Sequence, residues 1–189
     1  MACHDGHYET VKFLLDLNCQ VLNSRVDTTI KNIFGESGLH LVSKNGHIEV
    51  VKLFVDVGMN LNDTTNAGYT PLYQACRKGR FDIVKYLLDV NGKTLNSRVD
   101  TLIKGTNGWS ALHTACFNGH AGILKLLICV GMDINERDHS GKTAVHLARI
   151  NGHGDIVKKL KDNCAELKTY DSDKRTSLMR AKGNGCLIL

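Results

Sequence analysis

The side chains of this sequence that could bind a metal ion are its nine histidines and seven cysteines. The cysteines are odd in number, scattered and never spaced as Cys-x-x-Cys, so they predict neither a zinc site nor a disulfide framework. Seven of the histidines fall on two recurring places in the chain, and a repeated place indicates a structural role. We therefore predict no metal ion and no cofactor. These seven are His7, His40, His47, His113, His120, His146 and His153.

No motif for nucleophilic or phosphate chemistry is present. The chain has no Gly-x-Ser-x-Gly, no Gly-x-x-x-x-Gly-Lys-Ser/Thr loop and no His-Glu-x-x-His. Cys76 and Cys116 occupy equivalent places in a recurring pattern, which indicates packing rather than a reactive thiol. The sequence therefore predicts that the chain is not an enzyme.

Composition and charge are typical of a folded protein. Hydrophobic residues make up 42% and charged residues 23%, which argues against a disordered chain. The net charge of +5 is mild, and Glu36 and Asp82 interrupt the basic residues, so we predict no nucleic-acid partner. The sequence shows neither a secretory signal nor an apolar run of about 18 residues. We expect a monomer in the cytoplasm, with the nucleus as an alternative.

One phrase recurs four times: a glycine, any residue, a threonine or serine, a small residue and an apolar residue. It begins at Gly35, Gly68, Gly108 and Gly141. A second glycine follows each time after eleven residues, and an apolar run that contains a lysine comes next. These second glycines are Gly46, Gly79, Gly119 and Gly152. Repetition in register predicts one structural unit used several times.

The phrase resembles the Thr-Pro-Leu-His helix start of the ankyrin repeat, whose period is 33 residues. The resemblance covers nearly the whole chain and implies an all-α solenoid of stacked helix-turn-helix pairs with hairpin fingers between them. Thr70 and its counterparts Ser37, Ser110 and Thr143 suit the cap of a first helix, and Pro71 suits its first turn. We predict four full helix pairs at about 37–57, 70–90, 110–130 and 143–162, with a partial repeat at each end.

The spacing of the glycines predicts a single array of six units. The interval is 33 residues from Gly35 to Gly68 and from Gly108 to Gly141, but 40 from Gly68 to Gly108. The predicted units are 1–31, 32–64, 65–104, 105–137, 138–170 and 171–189, with insertions in the first and the third.

A repeated string marks the two insertions. Leu-Asn-Ser-Arg-Val-Asp-Thr occurs at Leu22–Thr28 and again at Leu95–Thr101, which is 73 residues later. Because 73 is the sum of a 33-residue and a 40-residue unit, we infer that a pair of repeats was duplicated. We expect longer fingers at both places. We also expect deletion of Leu95–Thr101 to leave the fold intact, because surface loops tolerate changes in length.

The resemblance implies a protein-binding module, an adaptor or scaffold whose partner lies on the concave surface formed by the fingers and the first helices. Positions there that packing does not dictate carry aromatic and arginine side chains, which dominate interface energies. The predicted partner-binding residues are Tyr69, Arg77, Lys78, Arg80, Trp109, Phe117, Asn118 and Lys142. The alternative is that Trp109 and Phe117 only cover the stem of a hairpin. The partner itself is not specified by the fold.

The last four residues, which begin at Cys186, read as a CaaX box whose final leucine would specify geranylgeranylation. Basic residues precede the box at Lys174, Arg175, Arg180 and Lys182. The alternative function is therefore a prenylated adaptor tethered to a membrane. Against it, Cys186 follows Gly185 as histidines follow glycines in the other units, so the same residues also fit the start of another second helix.

We predict that Cys186 stays unmodified and that the protein remains in the soluble fraction of eukaryotic cells. The reason is that a helix over 176–182 would leave few free residues for a modifying enzyme. Fractionation of cells that express the full chain or Cys186→Ser measures this. A membrane population that disappears in Cys186→Ser would establish the prenylated adaptor instead.

Overall fold

The computed structural model describes residues 5–13, 30–90 and 98–161. Its helices include α1 (Gly38–Asn45), α2 (Ile48–Asp56), α3 (Pro71–Arg77), α4 (Phe81–Asp89), α5 (Ala111–Phe117), α6 (Ala121–Cys129) and α7 (Ala144–Ile150). Residues 8–13 and 154–161 are also helical, and none of the described residues is in a β-strand. The predicted all-α class is confirmed, and helix pairs occupy the predicted ranges. The unit predicted at 171–189 and the string Leu22–Thr28 lie outside the described residues.

Each first helix (α1, α3, α5 and α7) begins at the hydroxyl residue expected from the sequence. Thr70 shows the simplest cap: its backbone is extended, its Oγ1 accepts the N–H of Tyr73 at 3.1 Å, and Pro71 follows at the first helical position. In the other three first helices a histidine stands at the third position, and its Nδ1 accepts the N–H of the capping residue. These pairs are Ser37 with His40, Ser110 with His113 and Thr143 with His146. The caps bond helix donors that would otherwise be unpaired.

The capping histidine also links one repeat to the next. The N–H of Ser37 can only donate, so His40 Nδ1 accepts and the ring proton lies on Nε2. That Nε2 donates to the carbonyl of Tyr69, 2.9 Å away in the following finger. Burial lowers the pKa of His40, although the bond to Tyr69 opposes this shift. The ring is therefore a neutral, buried cross-link between two units.

The residue after three of the turn glycines, Gly79, Gly119 and Gly152, makes a second link, to a first helix one unit earlier. Gly79 turns the chain with a φ of 70°, and a Cβ added there would lie 2.6 Å from the His120 ring. Glycine is required at this turn both for its backbone conformation and for this close approach. The links run from a side-chain nitrogen to a carbonyl oxygen: Arg80 to Lys44 at 3.1 Å, His120 to Arg77 at 3.3 Å, and His153 to Phe117 at 3.0 Å.

The fingers are the tight loops 32–36, 65–69, 105–109 and 138–142, and backbone bonds join each to the next. The N–H of Asn66 donates to the carbonyl of Phe34 at 3.0 Å. The same bond recurs one unit on, from Thr106 to Ala67 at 3.0 Å, and again from His139 to Asn107 at 3.2 Å. The fingers therefore form a continuous row alongside the stacked helices.

The core between the stacked helices is apolar and well buried. The first-helix leucines Leu39, Leu72 and Leu112 are at most 1% exposed. Cys76 and Cys116 are fully buried in the same layer, as expected for packing residues. Burial raises the pKa of Cys116 to about 12 and raises that of Cys76 as well, so both thiols stay protonated at neutral pH.

The second insertion is displaced from the place predicted for it. Val99 is 5% exposed, and it occupies the core position that Met59 and Met132 occupy in neighbouring units, nine residues before the glycine that opens the phrase. Part of the string Leu95–Thr101 therefore packs in the core, so its deletion is expected to destabilise the fold, contrary to the expectation from the sequence. Counting from the repeat register, the seven extra residues are 91–97.

Side-chain bonds hold the same segment against the preceding unit. Asn62 Nδ2 donates to the carbonyl of Arg98 at 2.7 Å, and Asn62 Oδ1 accepts the N–H of Asp100 at 2.7 Å. The bonded residues, Arg98 and Asp100, come directly after the extra residues 91–97. Residues 98–101 therefore belong to the regular repeat.

We predict different effects on stability for two seven-residue deletions. Deletion of 95–101 brings Gly92 into the place of Val99 and should lower the free energy of unfolding by about 2–4 kcal/mol, as for other losses of a buried apolar side chain. Deletion of 91–97 combined with Arg98→Gly restores the Val-Gly sequence found at Val57 and Val130. That variant should stay within about 1 kcal/mol of the wild type.

Urea unfolding followed by circular dichroism measures both variants. Equal destabilisation by the two deletions would contradict the assignment of 91–97 as the extra residues.

We predict that the stability of the fold decreases as the pH falls below about 6.5. Burial lowers the pKa of His40 and of His113 from 6.5, so the unfolded chain binds these protons before the folded chain does. Stability is then fully present above 6.5 and is lost as the pH falls towards the folded pKa values. The free energy of unfolding between pH 7.5 and 5.5 measures the effect. His40→Gln should be less stable throughout but show a shallower pH dependence, and an unchanged slope in this variant would exclude His40 as a contributor.

Candidate protein-binding surface

The fingers and the exposed carboxyl-terminal ends of the first helices lie on one side of the stack, and we call this side the finger face. The links described above fix its parts relative to one another. Arg80 and His120 bond the carbonyls of Lys44 and Arg77, so the ends of α1 and α3 are held by the following units. The finger face is therefore positioned by the repeat architecture and not by its own side chains.

Trp109 and Phe117 form an aromatic pair on this face. Their ring centroids lie 4.9 Å apart with planes tilted by 52°. Phe117 is 37% exposed, whereas Trp109 is half-buried, which corrects the expectation that both are simply exposed. The indole Nε1 donates to Asp138 Oδ2 at 3.0 Å, so the tryptophan is held in one orientation. The structure thus brings these two predicted residues into contact.

Asp138 is the residue that holds the tryptophan, and sequence reasoning missed it. It is buried in the next finger, where its Oδ1 accepts the N–H groups of Ser140 and Lys142 at 2.9 and 2.8 Å. Burial raises its pKa, but these bonds and the one from Trp109 outweigh burial, so the pKa lies below its ordinary value. An ionised carboxylate therefore anchors the indole at neutral pH. An aspartate at the start of a turn is the signal that was available for finding it.

Tyr69 belongs to a second aromatic pair. Its ring stacks on that of Tyr73, with centroids 4.2 Å apart and planes within 4°. Tyr69 is half-buried and covers Gly105 of the next finger, where any Cβ would collide with the ring. Tyr73 stands where three other units carry the capping histidine, and burial raises its pKa to about 12. Tyr69 is therefore more enclosed than the sequence indicated, with part of its ring left accessible.

The five predicted polar residues differ in how freely they can meet a partner. Arg77 and Lys78 are exposed at the end of α3, and Lys142 is exposed at the last position of its finger. Arg80 uses its Nε to bond the preceding unit. The Asn118 amide donates to the carbonyl of Thr114 at 2.8 Å and closes the end of α5.

Exposed apolar residues extend the surface beyond the predicted set. Ile33 and Phe34, in the first described finger, are 86% and 64% exposed, and Ile150 at the end of α7 is 65% exposed. Comparison in register could have found Phe34, because the other fingers carry Ala67, Asn107 and Ser140 at this position.

The described ranges contain neither a metal-binding cluster nor a membrane-spanning helix. There, no three histidine, cysteine or acidic side chains are placed to hold a metal ion together. No helix in those ranges has the length and apolar character needed to cross a bilayer. Cys186 lies outside the described residues, so its unmodified state remains a prediction.

Comparison with known sequences assigns the repeat. The family model described as "Ankyrin repeats (3 copies)" matches residues 1–99, 91–171 and 112–188.

Curated relatives carry similar segments within longer chains. The probable E3 ubiquitin-protein ligase XBOS32 of Oryza sativa is 35% identical over 129 residues, which is 67% of this chain and 23% of that protein. The mouse serine/threonine-protein kinase TNNI3K is 34% identical over 113 residues, covering 58% of this chain and 13% of the kinase. The human SMC5-SMC6 complex localization factor protein 1 is 33% identical over 112 residues, covering 59% and 10% respectively. The chain thus spans less than a quarter of each of these relatives.

Proposed function

This chain belongs to the ankyrin-repeat family, whose repeats are protein-protein interaction modules, and from this premise we propose that its finger face binds a segment of a partner protein. The observation that supports this surface is the Trp109–Phe117 pair. The two rings pack against each other, yet Phe117 remains 37% exposed. Arg77 and Lys78 lie exposed one unit away, at the end of α3. Aromatic and arginine side chains are the types that contribute most to binding energy.

Rigidity of the aromatic pair favours a binding role. A side chain that is already ordered loses little conformational freedom when a partner arrives, so more of its contact energy appears as affinity. The bond from Trp109 to Asp138 supplies that order before binding. Covering the stem of the finger and binding a partner are then compatible roles, since the buried side of the indole does the first and Phe117 remains available for the second.

We also propose that the repeats themselves carry no catalytic activity. The relatives named as a ubiquitin ligase and as a kinase are far longer than the matched segment, which is 23% of one and 13% of the other. In this chain the buried cysteines are held as protonated thiols by their raised pKa values, and the capping histidines are engaged in backbone bonds. The side chains with the most reactive chemistry are thus used for structure.

We predict that Phe117→Ser and Arg77→Glu each weaken partner binding at least tenfold without unfolding the protein. Phe117 is preferable to Trp109 as a target because replacing Trp109 would also release Asp138. Removal of an interface aromatic commonly has an effect of this size, and charge reversal disrupts complementarity. Partners captured from cell extract by the immobilised chain and quantified by mass spectrometry provide the measurement.

Lys125→Glu is the matched control for charge, because Lys125 is exposed on the second helix α6, away from the finger face. It should recover partners as the wild type does. Undiminished recovery by both Phe117→Ser and Arg77→Glu, with circular dichroism showing folded proteins, would rule out the proposed surface.

A further inference from the structure

The exposed ends of the first helices form a row whose chemistry changes along the stack. The position two residues before each turn glycine is occupied in order by Lys44, Arg77, Phe117 and Ile150. The Lys44 side chain is 33% exposed and Arg77 is exposed, while Phe117 and Ile150 are 37% and 65% exposed. The finger face is therefore basic at one end of this row and apolar at the other.

A groove of about 510 Å³ opens at the basic end of the row, between the first two described fingers and the helices α1 and α3. Its volume is within the range of sites that hold part of a peptide or a small molecule. Its lining includes the apolar side chains Ile33 and Phe34 and the cation Arg77. Glu36, Lys44 and Gln74 also line it.

Arg77 carries the uncompensated charge of this groove. Lys44 Nζ lies 3.2 Å from Glu36 Oε1, so these two charges neutralise each other. Burial raises the pKa of Glu36, but hydrogen bonds from Asn32 and Lys44 and the charge of Lys44 outweigh burial, so the carboxylate is ionised at neutral pH. Among the described residues, no carboxylate is within ion-pair distance of the Arg77 guanidinium. A ligand meets one net positive charge here.

Gln74 supplies a hydrogen-bond acceptor without a partner. Its Nε2 donates to Glu36 Oε1 at 3.3 Å, which fixes the orientation of the amide. The other amide atom, Oε1, is buried and has no hydrogen-bond partner. Gln74 is 3% exposed and is one of the residues that line the groove. A buried acceptor of this kind is unfavourable until a donor reaches it. An extended peptide offers such a donor in its unpaired backbone N–H groups, whereas a helix interior does not.

We propose that the finger face recognises an extended peptide segment with an acidic residue followed by apolar residues. The proposal rests on the proposed function and names its ligand class. The acidic side chain pairs with Arg77, a nearby backbone N–H donates to Gln74 Oε1, and the following apolar side chains contact Phe117 and then Ile150.

The spacing of the motif follows from the repeat. Packed helices lie about 8–10 Å apart, and an extended chain advances about 3.3 Å per residue. One repeat therefore corresponds to about three peptide residues. The segment should carry its acidic residue at position i and apolar residues near i+3 and i+6.

A displayed library of random 12-residue peptides, selected on the immobilised full chain, tests this chemistry. Selected peptides should share an acidic residue at position i and apolar residues near positions i+3 and i+6. For a synthetic selected peptide, Arg77→Glu should reduce affinity at least tenfold, and exchanging the peptide's acidic residue for lysine should recover binding to that variant. Lys125→Glu, the control with the same charge change, should leave affinity unaltered.

The role of Gln74 is measured separately with peptides methylated at one backbone nitrogen at a time. Methylation at one position should weaken binding to the wild type about tenfold and leave binding to Gln74→Met unchanged. The Gln74→Met variant keeps the side-chain length but lacks the acceptor. If every methylation weakened binding to the wild type and to Gln74→Met by the same factor, the assignment of Gln74 as the acceptor would be overturned.

The outcomes separate the two levels of the proposal. Peptides that depend on Phe117 but show no acidic preference and no response to Arg77→Glu would overturn this inference and leave the protein-binding surface standing. A library that yields no binder sensitive to Phe117→Ser would overturn both.

Discussion

No helix pair in this chain can bury its apolar side alone, so every unit depends on its neighbours, and specific hydrogen bonds decide how the neighbours meet. The neutral ring of His40 caps its own helix through Nδ1 and bonds the following finger through Nε2. Arg80 and His120 bond in the opposite direction, to the first helix of the preceding unit. Because both bonds cross between units, apolar stacking and polar alignment reinforce each other. The finger face inherits its geometry from this arrangement.

Departures from the repeated residues show which positions are structural and which are open to change. Arg80 replaces a histidine yet still bonds a first-helix carbonyl, so the bond matters more than the residue type. Tyr73 replaces a capping histidine and instead stacks on Tyr69, which encloses that ring. At the exposed helix ends the residues vary freely between Lys44 and Ile150, because no neighbouring unit covers them. Function can differ between proteins at those positions without loss of the fold.

The two described aromatic pairs illustrate how a solenoid obtains an ordered surface without a closed pocket. Asp138, ionised and held by two backbone N–H groups, fixes the Trp109 indole from the neighbouring finger. Tyr69 is fixed by stacking and by the glycine that it covers. In both pairs the support comes from an adjacent element, so each ring is ordered before a partner binds. The groove beside Arg77 adds a buried acceptor to this ordered surface.

The sequence by itself determined the repeat, the helix ranges and the caps, because each of these depends on residue types at short, regular spacings. The proximity of Trp109 and Phe117 was predictable for the same reason. Only the tertiary structure decided how far the rings are enclosed, that Asp138 anchors Trp109, and that Arg80 bonds Lys44. It also showed that Val99, inside the duplicated string, is buried, because burial depends on neighbouring units. Local residue patterns specify the helices and their caps. The exposure and the partners of each side chain depend instead on contacts between units, which involve residues far apart in the chain.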